Sequence, residues 1–213
     1  MSNKTPSPTK RPVRQATGAR LAPDARRAHL LSVGAAAFGA HAYDDVQIDQ
    51  IAQQAGVSRG LLYHYFPGKQ EFFAAIVEDG YDDILRVTLP DPALPPLAQL
   101  QASLEAYFDH VAEHPHTYRA LFRSAASAHQ GVQAVVQRNL DTQAQRIMVA
   151  LAPMSPPSPL LTLSVRAWLA FLVHAALDWL DSQPPLDRQA VIRACTAALV
   201  GAVGGVGGVP PGT

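Results

Sequence analysis

The side chains best suited to chemistry crowd into one short run, Ser58, Arg59, Gly60, Leu61, Leu62, Tyr63, His64, Tyr65, Phe66, Pro67, Gly68 and Lys69. Guanidinium, ammonium, imidazole and phenol groups donate hydrogen bonds to phosphate oxygens, and arginine also matches the acceptor edge of guanine. That chemistry is recognition, not bond making. The sequence carries no nucleophile elbow, no Walker loop, no dinucleotide fingerprint and no paired carboxylates beside a base. Neither an enzyme nor a cofactor is expected.

Two short helices must position this run. Ile48, Ile51, Ala52 and Ala55 recur at i, i+3, i+4 and i+7, an apolar stripe on a two-turn helix. Gly56 ends it, because glycine takes the left-handed conformation at little steric cost. Val57 plugs the corner, and the Ser58 hydroxyl serves as N-cap for the next helix. The second helix runs from Arg59 to about Tyr65 with Leu62 and Phe66 as its inward face. Tyr63, His64 and Tyr65 are three large polar-tipped rings in succession, and they cannot all face a core. Pro67 and Gly68 close this helix and Lys69 opens a longer one. Two helices joined by such a turn form the unit whose second helix enters the DNA major groove.

On these residues the chain resembles the TetR family of bacterial one-component repressors. The match spans about residues 25–77 and includes Leu30, Leu31, Phe38, Tyr43, Ile51, Ala52, Ala55, Gly56, Val57, Ser58, the Leu62 to Phe66 run and Lys69. The resemblance implies a DNA-contacting set of Gln47, Ser58, Arg59, Gly60, Leu61, Tyr63, His64 and Lys69. In it, Tyr63, His64 and Lys69 hold phosphates while Arg59 and Leu61 face bases. Three positions depart from the family pattern. Ala42 stands where a glycine usually ends the first helix, a position that costs ~1 to 2 kcal/mol if left-handed. Gln47 replaces a capping Ser or Thr; it is a poorer cap but long enough to reach a phosphate oxygen. Leu61 replaces a common Thr, which suits either a thymine methyl or packing on the neighbouring helix.

Composition and periodicity point to an all-α fold of about nine helices, and the resemblance implies a TetR-like arrangement with a three-helix N-terminal domain and a larger C-terminal domain for ligand binding and dimerisation. Net charge is zero, yet it is unevenly spread. Up to residue 70 there are nine Lys and Arg against four Asp, and the remainder has eight against thirteen acidic residues. The cationic footprint therefore falls on the helix-turn-helix half. Residues 1–22 hold five basic residues, three prolines and no acid, the composition of a disordered arm, either inert or able to reach DNA. No apolar run follows those charges before Leu30, so the arm does not read as a signal peptide. The single Cys195 fits a reducing cytoplasm and reads as a packing residue. The expected domains are 23–70 for DNA binding, 71–202 for ligand binding and dimerisation, and 203–213 as a glycine-valine tail.

Beyond the motif, a connecting helix continues to about Val87, and prolines within 89–96 break it. Further helices are expected at 97–113, 116–127, 130–151, 159–181 and 187–201. The segment 160–180 is apolar nearly all round and long enough to span a bilayer, but Arg166, His174, Asp178 and Asp181 oppose that. A helix apolar on every side has to be buried on several sides. The family resemblance implies that the last two helices pair with their copies in a homodimer. The small surface of Ala190, Ala194, Cys195, Ala197 and Ala198 favours the same arrangement.

The resemblance also implies a small-molecule effector, expected to be mainly apolar with one polar group. Tyr107, Val111, Tyr118, Phe122, Trp168 and Phe171 are the candidate apolar wall, with His174 and Asp178 as orienting groups. The implied function is a ligand-responsive regulator, a repressor released from a near-palindromic double-stranded operator. Two rival readings stand beside it. His110, His114 and His116 invite a metal-responsive regulator, although no further ligand is positioned by spacing and no metal is expected. The departures at Ala42, Gln47 and Leu61 invite a helical ligand-binding or scaffold protein with a non-functional DNA module.

Overall fold

A computed structural model describes residues 22–124 and 130–207. The order is α1 (Pro23–Ala40), a short 3-10 turn (Tyr43–Asp45), α2 (Ile48–Gln54), α3 (Arg59–Tyr65), α4 (Lys69–Val87), α5 (Pro96–Glu113), α6 (Pro115–Arg119), a π turn (Ala120–Ser124), α7 (Gln130–Leu151), α8 (Pro159–Asp181) and α9 (Arg188–Gly207). The described residues contain no strand. All but the last residue of the expected basic arm lie outside the described residues.

Local signals account for most boundaries. Pro23, Pro96, Pro115 and Pro159 each begin a helix, where a missing N–H costs nothing. Ser158 caps α8, accepting a hydrogen bond from the Leu161 N–H at 3.1 Å. Gly56 has φ +67°, the only positive φ among the described residues. Ala42 does not take a left-handed conformation: it is extended at φ −63°, ψ 148°, so the missing family glycine costs no strain.

Two boundaries differ from the periodicity. The helix expected over 116–127 is, up to Ser124, α6 followed by a π turn in which Ala120 and Leu121 are both buried, and 125–127 lie outside the described residues. α9 continues to Gly207, beyond the expected start of a flexible tail at 203. Val203 packs on the core, and tertiary burial outweighs the poor helix propensity of the neighbouring glycines. Residues 208–213 lie outside the described residues.

The head is built on aromatics. Phe38 of α1, Tyr43 and Phe73 of α4 form a tight group, with Phe38 and Phe73 ring centroids 4.5 Å apart and Tyr43 and Phe73 5.2 Å apart. Phe66, just past α3, reaches Phe72 at 4.7 Å. The start of α4 is therefore part of the head core, while its later residues Tyr81 and Ile84 face the second domain. Head and body also meet through α1 and α6. A Cβ on Gly39 would stand 2.2 Å from the His116 carbonyl oxygen, so only glycine permits this approach.

In the body, Trp168 of α8 donates its indole N–H to the Cys195 carbonyl of α9 at 2.8 Å. Arg119 pairs with Asp181 at 2.9 Å and Arg188 with Asp109 at 2.7 Å, tying α6 to α8 and α9 to α5. Cys195 is fully buried, and burial pushes its thiol up to about 11. α8 is long and apolar enough to cross a membrane by composition alone. Here Leu161, Val165, Trp168, Leu172 and Ala176 are buried against the body. Its other face, carrying Leu160, Leu163, Phe171 and His174, is exposed in the protomer, as are Ala194, Ala197 and Val200 on α9.

Candidate nucleic-acid interface and adjoining cavity

The turn between α2 and α3 is closed by backbone bonds, with the Val57 N–H donating to the Ala52 carbonyl at 3.0 Å and Gly56 N–H to Gln53 at 3.1 Å. Ser58 caps α3 by accepting from Leu61 N–H at 3.2 Å. Ile48, Ile51, Ala52, Ala55, Leu62 and Phe66 are buried, which fixes the rotation of both helices. Gln47, Ser58, Arg59, Gly60 and His64 are left exposed, and Leu61, Tyr63 and Lys69 half-buried. Gln47 makes no side-chain cap, so its amide is not committed to helix α2. A Cβ at Gly60 would meet nothing within 4 Å, leaving the backbone there open to close approach.

The charged groups of this surface are held rather than loose. Arg59 pairs with Asp49 at 2.9 Å and its guanidinium lies 5.4 Å from the Tyr63 ring centroid. Lys69 donates to the Asp44 carbonyl at 3.1 Å and sits 4.8 Å from the centre of the Tyr43 ring. An ammonium has three donors, so this anchor leaves donors for a phosphate. Sequence reading missed Asp49 as the partner of Arg59. Its signal was available, an acid in the first turn of α2 ten residues before the arginine.

A cavity of about 630 Å³ lies in the body beside the second half of α4. Its wall includes Tyr81, Ile84, Leu104, Tyr107, Phe122, Arg146, Trp168 and Leu172. Of the expected lining, Tyr107, Phe122 and Trp168 stand on it. Val111, Tyr118, Phe171, His174 and Asp178 do not. Val111 is wholly buried away from it, and Tyr118 sits one layer behind, its hydroxyl bonded to that of Tyr107. Phe171, His174 and Asp178 lie on the exposed face of α8, and a His174 ring nitrogen is 2.8 Å from the Ala170 carbonyl. Because α8 is apolar on all sides, periodicity could not say which side turns inward.

In the sequence Tyr81 is one residue of a helical stripe. It is 1% exposed, and among the described residues its hydroxyl has no hydrogen-bond partner. Burial holds this phenol well above its ordinary value. His110 and His114 face each other at 4.6 Å beside Asp79 and Asp83, around a separate recess of about 180 Å³. His116 is exposed and does not line that recess. Among the described residues no group of three or more His, Cys, Asp or Glu is arranged to hold a metal ion.

A glycine-hinged helix pair presenting an exposed polar face, fused through one long helix to a helical body, defines a helix-turn-helix DNA-binding regulator. Comparison with known proteins narrows the class. A family model for bacterial regulatory proteins of the tetR family matches residues 30–76, and one for the tetracyclin repressor-like C-terminal domain matches 96–201. The chain belongs to the TetR family of transcriptional regulators. It is 27% identical over 184 residues to the HTH-type transcriptional activator FasR of Mycolicibacterium smegmatis, covering 83% of this chain and 82% of that protein. Over 101 residues it is 31% identical to the transcriptional repressor SCO4008 of Streptomyces coelicolor, covering 47% and 50%. The crystal structure of a tetR-family regulator from Streptomyces coelicolor superposes with TM-score 0.72 at 30% identity, covering 87% of this chain and 85% of that one. These relatives are transcriptional regulators, named as activator in one case and repressor in another. TetR-family regulators bind DNA operators and usually act as dimers.

Proposed function

We propose that this chain is a homodimeric transcriptional repressor of the cytoplasm that leaves its operator when a small, mainly apolar molecule enters the body. The carrying observation is the cavity of about 630 Å³ against Tyr81 and Ile84 of α4, the helix whose first residue is Lys69. One rigid element thus has the proposed phosphate contact at one end and the proposed effector at the other. A cavity of this size and apolar character is typical of small-molecule sites.

Gln47, Ser58, Arg59, Gly60, Leu61, Tyr63, His64 and Lys69 form the proposed DNA face, with Arg59 and Leu61 toward base edges and the others positioning the backbone. Dimerisation through α8 and α9 is supported by the exposed apolar residues Leu160, Leu163, Phe171 and Val200. A two-fold dimer places two copies of α3 in successive major grooves about 34 to 36 Å apart. An effector displaces the equilibrium only by its differential affinity for the two forms, typically ~1 to 3 kcal/mol. The test is titration of the chain's own upstream DNA at several salt concentrations, followed by a panel of apolar compounds and divalent metals. Salt-dependent binding reversed by apolar compounds is expected. Binding reversed by zinc or nickel alone, and abolished by His110→Ala, gives the function to the histidines instead.

A further inference from the structure

The cavity wall is strongly biased in charge. Among the described residues it contains no Asp, Glu, His or Lys, and the one ionic residue among them is Arg146 of α7. Arg146 is half-buried and donates through Nη1 to the Leu85 carbonyl at 2.7 Å. Among the described residues no carboxylate pairs with it. A guanidinium has five N–H donors in a fixed fork that matches a carboxylate, and a backbone carbonyl occupies only part of that capacity.

The neutral polar groups around the cavity are largely committed elsewhere. Thr88 donates to Ile84, Ser103 to Thr88 and Gln99 to Leu94, each to a backbone carbonyl, and the Tyr107 hydroxyl is bonded to that of Tyr118. Among the described residues, the Gln143 amide, the Tyr81 hydroxyl and Arg146 are therefore the donors with capacity to spare, and of these only Arg146 is charged. Leu97, Val149 and Met154 line the same cavity and are more than half exposed, so it opens to solvent on their side. Val149 is three residues from Arg146 on α7, which places the guanidinium near that opening.

We infer that the effector is an amphipathic acid, with its carboxylate on Arg146 and its apolar chain running inward past Leu104, Trp168 and Leu172. This rests on the ligand-released reading above. A cation is disfavoured by the uncompensated guanidinium, and a neutral apolar molecule leaves the charge-assisted bond unmade. An acid also enters from water with its charged end last, keeping the carboxylate close to solvent.

The test is calorimetric titration of the full chain with octanoate, dodecanoate, hexadecanoate, dodecanol and dodecylamine, with the same compounds assayed for release of upstream DNA. Some carboxylate is expected to bind at least about tenfold more tightly than the alcohol and the amine, the size of one charge-assisted bond. Arg146→Gln should erase that preference and Arg146→Lys should keep part of it, with circular dichroism confirming that both variants fold. Equal or tighter binding of the alcohol or amine, or an undiminished carboxylate preference in Arg146→Gln, overturns the acid while leaving a ligand-released regulator intact. If none of the compounds binds, the acid is overturned, and the ligand-released reading is decided separately by the wider panel of apolar compounds.

Discussion

The Arg59 guanidinium lies 2.9 Å from the Asp49 carboxylate, joining the first residue of α3 to the first turn of α2 across the helix-turn-helix. Both side chains are well exposed, so the pair adds little to stability, within ~1 kcal/mol. Its consequence is positional, because the carboxylate and the Tyr63 ring hold Arg59 at the start of the recognition helix. Arg59→Ala is expected to cost ~1 to 3 kcal/mol on the preferred site and to relax selectivity at one base pair. Asp49→Asn, which removes a negative charge beside DNA, should tighten binding to all sequences. Binding to a randomised operator library reads both. An unchanged base preference in Arg59→Ala would remove Arg59 from base readout.

Lys69 begins α4 and is held by the Asp44 carbonyl and the Tyr43 ring. As a phosphate contact it should act uniformly. Lys69→Ala is predicted to weaken all sequences alike and to reduce the salt slope by about one unit. Altered sequence preference with an intact slope would reverse the role assigned to it.

Ala194 is exposed on α9 in the protomer, so a charge there need not disturb the protomer's own core. In a dimer closed by α8 and α9, Ala194→Arg buries an unpaired cation and should cost several kcal/mol of association, of the ~3 to 5 kcal/mol order seen for uncompensated buried charges. Sedimentation should show a folded monomer. A dimer persisting at micromolar concentration places the interface elsewhere.

The Tyr81 hydroxyl is buried without a partner among the described residues. Leaving such a group unsatisfied costs ~1 to 3 kcal/mol, so Tyr81→Phe should raise the unfolding midpoint measured without added ligand. Differential scanning calorimetry decides it. A clear fall in the midpoint would mean that the hydroxyl makes a stabilising bond.

His110 is buried, and burial first, then the adjacent His114, lowers its pKa. The unfolded chain thus takes up the proton more readily than the folded one. The associated stability is fully present above the ordinary histidine value of about 6.5 and is lost as pH falls through the depressed folded value. Asp79, in the same recess, has a pKa raised by burial, and its contribution grows with acidity, the opposite sign. Comparing unfolding free energies of wild type and His110→Gln from pH 8 to pH 5 isolates the histidine. The wild type should lose more stability on acidification than the variant, and parallel curves would contradict this.

Helix-turn-helix and helix order were legible in the sequence because they are local. The i, i+4 stripe of Ile51 and Ala55, the left-handed Gly56 and the Ser58 cap act within a few residues, and the structure has each as expected. The cavity wall was legible only in part. Of the aromatics expected together, Tyr107, Phe122 and Trp168 stand on it, while Arg146 carries no local sign of facing a cavity. Its place depends on α7 meeting α4 across sixty-one residues of chain, as the bond to Leu85 records.

The sequence by itself determined most of the helical segments, where the DNA-facing pair turns and which part of the chain carries the net positive charge, since periodicity, glycine and charge are properties of neighbouring residues. Tertiary structure alone decided the rotation of α8, turning Phe171, His174 and Asp178 outward and Trp168 inward. An all-round apolar helix has no preferred face until other helices cover one side. It also decided that Tyr81 and Arg146 share a cavity, because closeness between distant helices is set by packing and not by spacing along the chain.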